Sequence, residues 1–173
     1  MDARGALRRP RAESGIAVFL DTNVAVYAYD RDEPAKREIA RSIIADDSEP
    51  LFVSTQVLAE FYWVATRRLA RPLTEAEAAE VVRALAELTV IGADVDLVNS
   101  AIAVARERQI ALWGALIVRA AQAAGCDRLL SEDLHDGARR HVLRVPARRL
   151  QPGHRVCGGA RGALVPRAPR DRT

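Results

Sequence analysis

The strongest limit on how this 173-residue chain can fold is a series of short apolar runs. Each ends at polar residues and is followed by a stretch with helical spacing. Ile16 to Leu20 is the first run, and it stops at Asp21-Thr22-Asn23, residue types that favour a turn or a helix cap. Leu51-Phe52-Val53-Ser54 is the second and Thr89 to Ile91 a third. Arg128 to Leu130 leads into Ser131-Glu132-Asp133, and Val142 to Val145 reads as the last strand. Strands that alternate with helices need crossover connections, which build a mainly parallel sheet covered on both faces. The expected fold class is therefore α/β, a three-layer α/β/α domain over residues 16–146.

The intervening segments supply the helices. One follows Asp21-Thr22-Asn23 and breaks near Asp30 to Pro34, and a second runs from Ala35 to about Ala45. After the second strand, Thr55 is expected to cap a helix in which Val57, Leu58, Phe61, Val64 and Ala65 recur at helical spacing, with Pro72 closing it. Thr74-Glu75-Ala76-Glu77 is a capping-box pattern opening the next helix, through Leu88. Asp94 or Asp96 caps a helix whose expected apolar face is Val95, Val98, Ile102 and Ala105. The last helix covers Trp113 to Ala124 and stops at Gly125.

Composition narrows the class. With 49% of residues hydrophobic there is enough apolar material for one core, which excludes global disorder and a disulfide-stapled miniprotein. The two cysteines lack metal-ligand spacing: Cys126 reads as a buried thiol in a reducing compartment, Cys157 as an exposed one. The uncharged stretch Gln109 to Val118 is about half of what a membrane span requires. The arginine-rich start has no apolar core of the secretory kind, so the expectation is a cytoplasmic protein without membrane contact.

The net charge of +3 conceals a division. Residues 16–138 carry twelve basic side chains against twenty acids, whereas residues 139–173 carry ten arginines against one acid. A basic tail suits nucleic-acid phosphates, but its Gly, Pro and Arg content is equally that of a disordered extension without a role of its own, which is the preferred reading. Residues 1–15 are accordingly set aside as a flexible extension and 147–173 as a tail outside the domain.

Ligand sites in such sheets gather beyond the carboxyl ends of the strands. Asp21 follows the first strand directly, Asp133 follows Leu129-Leu130 in the same way, and Glu60 lies within two turns of the second strand. Three carboxylates distant in sequence are thus expected to converge. Two ionised carboxylates ~5 Å apart repel by roughly 3 kcal/mol at an effective dielectric of about 20, so such a cluster calls for a divalent cation or a raised pKa. Hard oxygen ligands without His or Cys point to Mg²⁺ or Mn²⁺, which orients water and polarises a phosphodiester oxygen. Each acid also has a plain structural role: Asp21 as a cap, Glu60 as a helix-surface charge, Asp133 as a turn residue. Glu60 is the informative one, because Phe61, Trp63 and Val64 surround it.

Four segments together resemble a known family. They are Val18-Phe19-Leu20-Asp21-Thr22-Asn23, Ser54-Thr55 with Leu58-Ala59-Glu60-Phe61, Leu112-Trp113-Gly114-Ala115-Leu116-Ile117, and Leu130-Ser131-Glu132-Asp133-Leu134. Their order and spacing resemble the PIN domain, and within it the VapC-type toxins of bacterial toxin–antitoxin pairs. The resemblance implies a Mg²⁺- or Mn²⁺-dependent endoribonuclease with Asp21, Glu60 and Asp133 as catalytic metal-site carboxylates. It implies Thr22, Asn23 and Ser131 as supporting polar residues and Asp136 as an outlying acid, more simply a turn former beside Gly137. It further implies an RNA substrate, a cognate antitoxin protein and a homodimer.

Gly114 departs from the pattern, since the family usually carries Asp there. A carboxylate at that helix start would face the metal and complement the helix dipole. Glycine supplies no ligand, so the expected activity is weakened. The competing reading is a catalytically inactive PIN-like module that only binds RNA or protein. A phosphatase on a related sheet is a weaker third, because the chain has no glycine-rich phosphate loop.

Overall fold

A computed structural model describes residues 16–132 together with Val142–Arg144 and Val156–Cys157. In chain order the elements are β1 (Val18–Leu20), α1 (Thr22–Tyr27), α2 (Pro34–Ala45), β2 (Leu51–Ser54), α3 (Thr55–Arg67) and α4 (Glu75–Leu85). They continue with β3 (Thr89–Ile91), α5 (Val95–Arg108), α6 (Leu112–Ala124), β4 (Arg128–Leu130), β5 (Val142–Arg144) and β6 (Val156–Cys157). The sheet order is β5-β4-β1-β2-β3-β6. The four inner strands are parallel, and β5 and β6 pair antiparallel at the two edges. This is the expected three-layer α/β/α architecture. β6 falls inside the 147–173 segment that the sequence reading set apart. The final expected strand residue, Val145, lies outside the described residues.

β1, β2 and β3 are short and largely buried, so they carry mainly apolar residues on both faces, whereas β4 buries Leu129 and leaves Arg128 and Leu130 half-buried. From β1 the chain steps to β2 and β3 on one side, then crosses back to β4 on the other side. Since parallel crossovers are as a rule right-handed, this order calls for α1–α4 on one face and α5–α6 on the opposite one. The packing agrees: α3 contacts α1, α4 and β2, while α6 contacts α5, β2, β3 and β4. The core centres on Phe19 and Phe61, both fully buried. Tyr29 meets Phe61 edge to face at 5.6 Å. Burying one such ring contributes about 1.5–3 kcal/mol.

Four local expectations are corrected. Ser54, not Thr55, caps α3: Ser54 remains extended and its hydroxyl accepts from the Val57 amide, while the Thr55 hydroxyl accepts from Ala93 N at 3.2 Å. α3 ends at Arg67, before Pro72, because Leu73 N turns back to the Ala65 carbonyl. α4 keeps the Thr74–Glu77 capping box but ends at Leu85. On α5 the expected Val98 and Ala105 pack against the core, but the buried residues are Leu97 and Ala101, and Val95 is 74% exposed. That helix packs on α6, so its inward face is set by a helix partner, and Ala101 permits the close approach. Asp94, of the two candidates, caps it through Leu97 N. Among the described residues no helix is long and apolar enough to cross a membrane.

Candidate functional site

β1 and β4 end side by side at the point where the strand order reverses, the place where open α/β sheets leave a crevice. The Asp21 amide donates to the Leu130 carbonyl at 3.0 Å, which levels the two strand ends and puts Asp21 beside Ser131. Asp21 is the N-cap of α1, as the plainer reading of it required, and its Oδ1 accepts from Thr22 N at 2.6 Å. Its Oδ2 accepts from the buried Ser131 hydroxyl at 2.5 Å. Capping and the Ser131 bond fix the carboxylate's direction.

Glu60 arrives from α3, which begins directly after β2. Its neighbours Val57 and Phe61 are buried in the core, so the helix is anchored and Glu60 is held at the rim. The Thr22 hydroxyl donates to Glu60 Oε2 at 2.7 Å, and Gln56 Nε2 donates to Oε1 at 3.0 Å. Thr22 therefore touches both acids, through its amide to Asp21 and through its hydroxyl to Glu60. These four neutral donors orient the two carboxylates.

Gln56 also reaches the Trp113 carbonyl at 3.4 Å, tying the first turn of α6 to the Glu60 rim. Gly114 is the next residue. A Cβ built there meets nothing within 4 Å, and its φ is not in the left-handed region, so no backbone demand explains the glycine. Asn23 is not joined to either carboxylate: both polar atoms of its amide are buried without a partner among the described residues. Asp133 and Asp136 lie outside the described residues. Of the three carboxylates expected to converge, the structure brings together two.

Among the described residues no group of three or more His, Cys, Asp and Glu side chains is arranged to hold a metal ion. The oxygen-only set of Asp21 and Glu60 nevertheless suits a hard cation, since Mg²⁺ is commonly held by one or two carboxylates with water filling its octahedron. The unsatisfied Asn23 amide, a burial costing about 1–3 kcal/mol per group, is a further polar contact left open close to Asp21.

A family model for the PIN domain matches residues 18–136. This chain belongs to the PIN-domain family. Two solved structures share its fold. Mycobacterium tuberculosis VapC20, described as a sarcin-ricin loop cleaving toxin, is 19% identical with a TM-score of 0.51, covering 65% of this chain and 87% of that one. VapBC2 from Rickettsia felis, solved bound to a DNA fragment from its promoter, is 18% identical with a TM-score of 0.50, covering 68% of this chain and 89% of that one. No curated protein sequence matches the chain.

Sequence reasoning missed three participants in this PIN domain's rim. Gln56 stands one helical turn before Glu60, a spacing that signals a side-chain pair. Lys36 and Tyr27 both bind Glu132, the lysine at 2.8 Å and the tyrosine through its hydroxyl, which ties α1 and α2 to the loop after Ser131. Lys36 also lies over the Tyr27 ring at 4.4 Å. Burial, then the Glu132 contact, raises the Tyr27 pKa, and the hydrogen bond to Glu132 raises that of Lys36. Nothing in the local sequence announced this contact between residues 96 positions apart.

Proposed function

We propose that the chain is a VapC-type toxin of a toxin–antitoxin pair, built to hydrolyse RNA phosphodiesters internally and weakened by Gly114. The observation that carries this reading is Thr22 joining Asp21 and Glu60 at the carboxyl edge of a PIN sheet. The fold shared with VapC20 and VapBC2 supports it.

Asp21, Glu60 and Asp133 would hold Mg²⁺ or Mn²⁺, which supplies Lewis acidity at a phosphodiester oxygen and makes bound water more acidic. Ser131 and the Thr22 amide fix the Asp21 carboxylate, while the Thr22 hydroxyl and Gln56 fix Glu60. These contacts set the oxygens in place before substrate arrives, so little reorganisation is needed during reaction. The antitoxin partner, the homodimer and the RNA target belong to this same reading, and an antitoxin arginine directed at Asp21 or Glu60 is its expected inhibitory contact.

The missing carboxylate at position 114 supports a second reading, a PIN module that binds without cleaving. One comparison separates the two. Gly114→Asp should raise Mn²⁺-dependent RNA cleavage by about ten- to a hundredfold over the parent, the usual scale for restoring a ligand or its shell. Equal cleavage by both chains would overturn the assignment of position 114, and no cleavage by either would establish the binding module.

A further inference from the structure

Two consecutive residues hold α1 at both of its ends. The N-cap Asp21 accepts from the Ser131 hydroxyl, and the last residue of the helix, Tyr27, donates through its hydroxyl to Glu132. Lys36 closes the arrangement from α2. Its ammonium donates to Glu132 Oε1 at 2.8 Å and to the Tyr27 hydroxyl at 3.0 Å, and lies 4.4 Å from the centre of the Tyr27 ring. A helix of six residues has little stability of its own, so the contacts at its two ends set its direction.

Stability alone does not account for Lys36. It stands in the first turn of α2, where a cation opposes the helix dipole. The Lys36 and Glu132 side chains are 40% and 36% exposed, and ion pairs in contact with water add little to folding. What the contact does accomplish is to grip the residue after Ser131. Leu130 is tied to the Asp21 amide on one side and Glu132 to Tyr27 and Lys36 on the other, so the backbone of the buried Ser131 is held from both directions, and its hydroxyl with it. We propose, resting on the metal-dependent reading above, that Lys36 and Tyr27 are positioning residues for the metal site: by gripping Glu132 they keep the Ser131 hydroxyl on Asp21 and hold that carboxylate in its cation-binding orientation.

Calorimetric titration of the full chain with Mn²⁺ tests this without reference to cleavage. Removing a positive charge near a cation site tightens binding through the field alone, whereas loss of a positioning contact loosens it, so the sign of the Lys36→Met effect separates the two. Lys36→Met should weaken Mn²⁺ binding about tenfold, the scale of a lost supporting contact, and the charge-neutral Tyr27→Phe should weaken it in the same direction. Ser131→Ala should do likewise. Lys36→Met combined with Ser131→Ala should bind no more weakly than Ser131→Ala alone, because both changes act along one path. Thermal unfolding in EDTA gives the folded fraction of each variant at the assay temperature. Tighter or unchanged Mn²⁺ binding by Lys36→Met, losses that add in the double variant, or a loss no larger than the unfolded fraction would overturn the proposal. Mn²⁺ binding that is absent, or that survives Asp21→Asn, would overturn the metal-site reading and the proposal with it; binding that needs Asp21 but ignores Lys36 would leave that reading intact and remove the positioning role.

Discussion

Thr22 has two roles that a single substitution separates from the fold. Its amide belongs to the backbone and survives any side chain, whereas its hydroxyl alone reaches Glu60. Thr22→Val keeps shape and burial and removes that hydroxyl, leaving Gln56 as the donor to Glu60 among the described residues. In a Gly114→Asp background, calorimetry should show Mn²⁺ affinity falling about tenfold or more, the usual scale for a lost supporting contact. Unchanged affinity would mean that Thr22 serves only to fill space. Cys126 behaves in the opposite way, as a group withdrawn from chemistry. Burial first, then the Asp127 carboxylate, pushes its thiol pKa up. A raised pKa means its stabilising effect is present below the ordinary thiol range and lost as pH rises beyond it. Cys126 should therefore resist alkylation in the native chain at mildly alkaline pH and react on denaturation, as read by peptide mass spectrometry. Rapid native labelling would contradict the buried placement.

The elements show where local sequence sufficed and where it did not. Strand ends were legible at Leu20, Ser54 and Leu130 because apolar runs met polar residues, and the Thr74–Glu77 box announced α4 through its own chemistry. The cap of α3 was misplaced by one residue because Ser54 is both the last strand residue and the cap, a double duty that two adjacent hydroxyl residues conceal. The face of α5 was half right: Val98 and Ala105 pack against the core, but periodicity gives a stripe and not the partner, so Leu97 and Ala101 are the buried residues and Val95 and Ile102 stand in water. The convergence of Asp21 and Glu60 on Thr22 was legible from their positions after strands, while the Gln56 link between two helices depends on tertiary packing. The end of α5 also holds a strained residue: Gln109 takes the left-handed conformation at φ 56° and ψ 39°, while Gly125 ends α6 in the same region without a Cβ penalty. Gln109→Gly should stabilise the chain by up to about 1 kcal/mol in urea unfolding, since a side chain in that region costs roughly 1–2 kcal/mol. A loss of stability would show that the Gln109 side chain contributes more than its backbone costs.

At the scale of the whole molecule, one topological fact organises the rest. The strand order reverses between β1 and β4, so Asp21 and Ser131 meet there although 110 residues separate them. α3 then swings Glu60 onto the same rim, and α6 brings position 114 alongside through the Trp113 carbonyl. Residues 16–138 are net acidic, so the field around this rim favours cations over anions. The central claim is that Asp21 and Glu60 together bind one hard dication. Crystals grown with Mn²⁺ and measured for anomalous scattering test it most directly. The account predicts a single strong peak bonded to oxygens of both Asp21 and Glu60; no peak on this rim at saturating Mn²⁺, or one that touches neither carboxylate, would contradict it.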